Sequence, residues 1–387
     1  MTRASDVIVV GAGLVGAACG REFARRGCNV RILDGEPPGN HTTAAGMGHI
    51  VVMDDSDAQM RLTLQGRALL HAFVDSVPPT VAERIEADPT GTLWIAEDDG
   101  GYEAARSKQT YYSDFGVASE LLDEDAMREA EPCLARGLAG ALRVPDDFVI
   151  YAPAVVEAML DDARAHGARV ESACVRRIRG RTVELEDGRT LDAAWVIDAA
   201  GEAAFDILDA EARAALKHVR LRRRKGQLVI TDRYPGFARH QLVELGYLAS
   251  AHGDDRASVA FNLQPRATGQ MLLGSSREFE AADATVDASL LRRMIERATR
   301  FVPGIGELAA LRAWAGFRVA TDDHLPLVGP IDAPHSRGLL LACGHEGLGI
   351  TTSLSTAKLL VDHVFDCADA DFPIDPYLPT RSMHGTG

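Results

Sequence analysis

The chain has 387 residues, 46% of them apolar and 25% charged, with a formal net charge of −15. That length leaves room for two to three domains of about 150 residues, or one large α/β unit with a second module, and its core needs no disulfide or metal staples. The acidic balance argues against a nucleic-acid or anionic-membrane binder, which needs a positive field, and no run of about 20 apolar residues offers a membrane span.

The N-terminal elements are the clearest. Asp6–Val10 is an unbroken apolar run ending at a glycine, as in a strand buried on both faces. Leu14–Arg26 has helical spacing, with Val15, Cys19, Phe23 and Ala24 on one face, and Gly27 stops it. Asn29–Leu33 is a second strand, closed by Asp34. Together they predict a β-α-β unit with a right-handed crossover. Further on, Ala154–His166 reads as an amphipathic helix, and Arg169–Ala173, Thr182–Leu185 and Leu191–Ile197 as strands. From Leu216 to about Trp314 the texture is antiparallel, with strands such as Gln227–Thr231, Ser258–Leu263 and Gln270–Gly274. A helix over Ser289–Phe301, a strand over Gly338–Ala342, a glycine-rich turn and a helix over Thr352–Phe365 complete the chain, before a proline-containing tail. Six cysteines show neither a C-x-x-C pair nor zinc-ligand spacing to histidine, which predicts reduced thiols, no metal and a cytoplasmic protein.

Gly11-Ala12-Gly13-Leu14-Val15-Gly16 is a G-x-G-x-x-G motif between the first strand and its helix, and Asp34 lies 18 residues past Gly16. Gly11 makes the turn, Gly13 lets a pyrophosphate approach the backbone, Gly16 allows close packing, and Asp34 accepts from a ribose diol. The acid disfavours NADP; NAD and FAD stay open on this motif alone. Three further segments bear on the choice. Asn40 to His49 offers hydroxyls, small residues and backbone amides directly after the second strand. The strand Val196–Asp198 ends on Ala199-Ala200-Gly201. The turn Cys343-Gly344-His345-Glu346-Gly347-Leu348-Gly349-Ile350-Thr351-Thr352 brings a helix N-terminus that can stabilise a reduced ring.

These four segments together resemble the D-amino-acid oxidase and glycine oxidase family of FAD-dependent amine oxidoreductases. They look most like the branch holding the catalytic subunits of bacterial hydroxyproline/proline dehydrogenases, opine oxidases and hydrogen cyanide synthases. The resemblance implies a Rossmann-like FAD-binding domain (1–80, 145–215, 315–387) interleaved with a mainly antiparallel substrate domain (81–144, 216–314). It implies FAD contacts at Gly11, Gly13, Leu14, Val15, Gly16, Asp34, Gly35, Thr42, Thr43, Ala45, Gly46, Met47, Gly48, Ala200 and Gly201. Val175, between the strands after the helix, matches a backbone contact to the adenine. Gly344, Gly347, Leu348, Gly349, Ile350 and Thr351 match the flavin-edge turn. No cysteine lies just after Arg318, so the FAD is expected to be noncovalent.

The resemblance places Arg318, in Trp314-Ala315-Gly316-Phe317-Arg318, where the family grips a substrate carboxylate; arginine suits this because its planar fork binds bidentately. Asn262 falls where glycine oxidase has a tyrosine, and Arg277 where it has an apolar residue. Arg277 then either meets a polar or second anionic arm of a larger substrate or pairs with Glu278 or Glu280. His49 and His345 either line the flavin or are satisfied structural histidines. The basic run Arg220 to Lys225 reads as a solvated edge or as a docking surface for an acidic partner, such as a flavoprotein or iron–sulfur subunit. The implied activity is oxidation of the C–N bond of an amino or imino acid (D-amino acid, proline/hydroxyproline-like or opine) by hydride transfer from Cα to flavin N5. The rival is a non-catalytic FAD-binding subunit in an electron-transfer complex.

Overall fold

The computed structural model describes residues 5–246, 257–279 and 281–382. The N-terminal unit comprises β1 (Ser5–Val10), the helix Leu14–Arg25 and β2 (Val30–Asp34). The next strands are β3 (His49–Ile50), β4 (Thr92–Ala96), β5 (Glu120–Asp123), β6 (Gly140–Val144), β7 (Phe148–Val149), β8 (Arg169–Ser172), β9 (Val175–Arg179), β10 (Thr182–Leu185) and β11 (Thr190–Asp198). They are followed by β12 (Arg222–Arg233), β13 (Gln241–Glu244), β14 (Ala257–Pro265), β15 (Gln270–Phe279), β16 (Ala310–Ala320), β17 (Leu327–Pro330) and β18 (Leu339–Cys343).

One sheet runs β17-β18-β11-β1-β2-β8, with the hairpin β9–β10 attached to β11. Its central pairings are parallel, with Ile8 opposite both Val196 of β11 and Arg31 of β2. Val7, Val9 and Ile32 face one core, shared with Phe23, Met159 and Leu360 of the helices Leu14–Arg25, Ala152–Ala165 and Ser353–Val364. Ile8, Val10 and Leu33 face a second core containing Leu208 and Leu216. Burial on both faces is why these strands read as continuous apolar runs.

The other large sheet runs β16-β12-β15-β14-β13-β4-β6-β5 and is antiparallel except where β13 meets β4. One face packs on the helix Ala288–Phe301, with the Phe261 and Phe301 rings stacked 4.7 Å apart. Trp94, Leu228, Val243 and Asn262 instead line a cavity shared with the carboxyl ends of the parallel sheet.

Two features depart from the sequence reading. Val175 opens a strand of its own, antiparallel to β10, rather than a linker between strands. A 20-residue helix, Asp57–Ser76, occupies a stretch to which the pattern gave no element. Its buried face includes Gln59, Thr63, Gly66 and Arg67, so polar residues interrupt the apolar periodicity; Ser56 caps it by accepting from the Gln59 N–H at 3.2 Å. Among the described residues no helix is long and apolar enough to cross a membrane.

Candidate active site

A cavity of about 770 Å³ opens at the carboxyl ends of β1, β2 and β11, the crevice where parallel sheets bind ligands. Its narrow walls follow from glycine. Gly11 has φ +103°, and a Cβ there would stand 2.4 Å from the Ala199 carbonyl oxygen. A Cβ on Gly16 would stand 1.9 Å from the Gly11 oxygen, so Gly16 packs the helix onto the turn and is not itself on the wall. Gly13 does face the cavity, and a Cβ there would stand 3.3 Å from Thr43 Oγ1. Thr43 Oγ1 also accepts from the Leu14 N–H at 3.2 Å, tying the short helix Thr42–Ala45 to the start of the first helix. Asp34 accepts from the amides of Ala12 at 2.6 Å and Glu36 at 2.9 Å. A carboxylate has about four acceptor positions, which leaves Asp34 capacity for a ribose diol.

Leu14, Val15, Gly35, Thr42, Ala45, Gly46, Met47, Gly48, Val175, Ala200, Gly201, Gly344, Gly347, Leu348, Gly349 and Ile350 also line the cavity. Segments distant in sequence therefore converge on one elongated groove, and such a groove fits a dinucleotide. Thr351 is the other exception. It is fully buried, and its hydroxyl donates to the His49 carbonyl at 3.3 Å, supporting the wall from behind.

The two histidines line the cavity but are held by threonines: His49 Nε2 lies 2.9 Å from Thr92 Oγ1, and His345 Nε2 lies 3.0 Å from Thr356 Oγ1. Burial lowers the His49 pKa to about 3 and that of His345 to about 4, so both are neutral at pH 7.

Arg318, Arg277, Asn262 and Glu346 all line the cavity. Arg318 Nη2 donates to the Ser276 carbonyl at 3.1 Å. The Asn262 side-chain oxygen accepts from Gln241 Nε2. Glu346, in the glycine-rich turn after β18, is one residue that sequence reasoning missed. Its carboxylate accepts from Arg224 Nη1 at 2.5 Å and pairs with His324 Nδ1 at 3.2 Å. Burial alone would raise its pKa, but the His324 hydrogen bond and the charges of Arg224 and Arg277 outweigh that and hold it well below the usual carboxylate range. The motif containing Glu346 was legible; its partners were not, because they come from positions 224 and 324. Trp94, Met53 and Gln59, also on the wall, carry no motif and arrive through the fold.

Arg224 also corrects the reading of the basic run. Strand alternation sends Arg224 toward Glu346 and Lys225 to the opposite face, near Glu278 at 3.9 Å, and both are buried. Arg222 pairs with Asp322 at 2.9 Å and Arg223 with Glu202 at 2.5 Å. The run is thus split: Arg220, Arg222 and Arg223 are exposed, as on a solvated edge, while Arg224 and Lys225 are buried. Glu280, weighed above as a partner of Arg277, lies outside the described residues.

The chain is 27% identical to a glycine oxidase from Geobacillus kaustophilus over the full length of both. It is 26% identical to hydrogen cyanide synthase subunit HcnC from Pseudomonas aeruginosa, over 98% of this chain and 97% of that one. The crystal structure of glycine oxidase from Geobacillus kaustophilus superposes with a TM-score of 0.85 at 28% identity, covering 98% of this chain and 99% of that one. At 21% identity, the crystal structure of L-proline dehydrogenase from P. horikoshii shares the fold with a TM-score of 0.85, over 98% of each chain. The profile of the DAO family, described as FAD dependent oxidoreductase, matches residues 6–363, and the chain belongs to that family.

Proposed function

We propose that this FAD-dependent oxidoreductase oxidises the C–N bond of an amino or imino acid. The observation that carries the reading is Arg318, which lines the same cavity as the glycine motifs. When bound, FAD supplies the acceptor for the hydride that leaves the substrate Cα. The protein's own contribution is placement. The Arg318 fork takes the carboxylate, and two parallel hydrogen bonds fix both the distance and the angle of the Cα–H. The oxidised C=N product is then open to hydrolysis by water. Arg277 lines the same cavity, which supports a substrate larger than glycine with a polar or anionic arm, such as a hydroxylated proline or an opine.

Anaerobic mixing of the flavin-loaded protein with D- and L-amino acids, prolines and opines should bleach the flavin with at least one of them. No bleaching across the set would favour the non-catalytic electron-transfer subunit. Arg318→Ala should then lower kcat/KM for the best substrate by roughly 100-fold, the loss of a contact worth about 3 kcal/mol. Arg318→Lys should recover only part, since an ammonium lacks the fork. Wild-type kcat/KM in Arg318→Ala would transfer the carboxylate role to Arg277.

A further inference from the structure

Arg318 does not reach the cavity from its own strand alone. It pairs with Arg224 across the β12–β16 ladder, and its guanidinium leans diagonally over β12, past Gly226, to the Ser276 carbonyl on β15. The β12–β15 register slips between Lys225 and Val229, alongside this crossing. A Cβ on Gly226 would stand 2.3 Å from Arg318 Nη2 and 3.0 Å from the Ser276 oxygen. Those two atoms are themselves 3.1 Å apart in a hydrogen bond. One methyl group would therefore be driven between the guanidinium and its carbonyl partner.

The collision is one-sided. The Ser276 oxygen belongs to a buried strand in a ladder, whereas Nη2 is the end of a long flexible side chain. The methyl group would displace the arginine and leave the sheet in place. We propose that Gly226 is a positioning residue for Arg318: its missing side chain lets the guanidinium lie flat over β12 and be aimed by Ser276. The inference rests on the reading of Arg318 as the carboxylate contact. Gly226 itself lines the cavity, and its role is to act through where the fork points.

The test is a double-mutant cycle on the flavin-loaded protein, with Gly226→Ala, Arg318→Ala and the double variant. Acetate serves as a carboxylate probe with no C–N bond to oxidise. A displacement on the order of 1 Å costs about 100-fold, so Gly226→Ala should lose about that factor in kcat/KM and bind acetate at least about tenfold more weakly. Flavin content and melting temperature should stay near wild type. In the Arg318→Ala background, Gly226→Ala should change turnover by no more than about twofold, because the group it displaces is gone. A full additional loss in that background would overturn the inference. If Arg318→Ala loses turnover and acetate binding but Gly226→Ala loses neither, the inference falls and the carboxylate reading stands. If Arg318→Ala itself loses neither, that reading falls and the inference with it. If Gly226→Ala does not fold, Arg318→Lys, which has no atom at the Nη2 position, should restore folding to it. Failure of that rescue would place the clash elsewhere and also overturn the inference.

Discussion

Glu346 occupies a left-handed backbone conformation, φ 50°, that costs a non-glycine residue on the order of 1 kcal/mol or more. It holds this conformation against the cavity while Arg224 and His324 fix its charge. Together with two histidines held neutral by burial, this leaves none of these three wall groups suited to take a proton from a substrate ammonium at pH 7. The histidine shifts are downward, so both rings are already deprotonated well below pH 6 and do not titrate above it. With these three groups set aside, the substrate is expected to arrive with its amine already neutral. The expected outcome is a kcat/KM that climbs about tenfold per pH unit between pH 6 and 8, limited by the amine's own titration. A plateau beginning near pH 6.5 would reveal a protein base among other residues. Nothing in the sequence separates His49 and His345 from catalytic histidines; only their threonine partners, at positions 92 and 356, do so.

At the scale of elements, β16 and the helix Thr42–Ala45 act as one piece. Thr42 Oγ1 donates to the Phe317 carbonyl at 2.8 Å, and Trp314 Nε1 donates to the Ala45 carbonyl at 3.3 Å. Gly316 makes the approach possible, since a Cβ there would stand 2.4 Å from the Ala45 Cβ. Neither neighbour is a flexible tip, so Gly316→Ala should push the cofactor segment off the strand. Overpacking of this kind costs about 1–3 kcal/mol, so the FAD dissociation constant should rise by roughly tenfold or more. The ratio of flavin to protein absorbance after gel filtration measures it, and unchanged flavin retention would show that the segment can slide without loss. Both partners in this contact were legible as motifs, because glycine spacing and hydroxyl-rich loops leave local signatures. Their adjacency was not, since it joins positions about 270 residues apart. The parallel strands were readable because burial on both faces makes their composition uniform. The helix Asp57–Ser76 was not, because Gln59 and Arg67 are buried on it through tertiary partners, Arg67 by the Asp147 carboxylate at 2.7 Å.

For the molecule as a whole, the cavity is lined by widely separated stretches of chain and by no single stretch, so FAD stability and tertiary stability should be coupled. We expect the flavin to be held by these contacts alone, because residues 319–323 after Arg318 contain no cysteine to attach it. Acid precipitation should release all the yellow colour into the supernatant, and colour retained in the pellet would indicate a covalent bond.

The clamp between β16 and the Thr42–Ala45 helix also bears on energetics. The strand that presents Arg318 is the one that steadies the cofactor loop. Any carboxylate that orders this strand lowers the entropy still to be lost when the loop is ordered, and the reverse holds equally. By thermodynamic reciprocity the two ligands must alter each other's affinity by one common factor. Titrating apoprotein with FAD at rising acetate concentration, and acetate at rising FAD, should return the same ratio, greater than one, from both directions. A ratio of one would mean that the strand is already rigid before either ligand arrives.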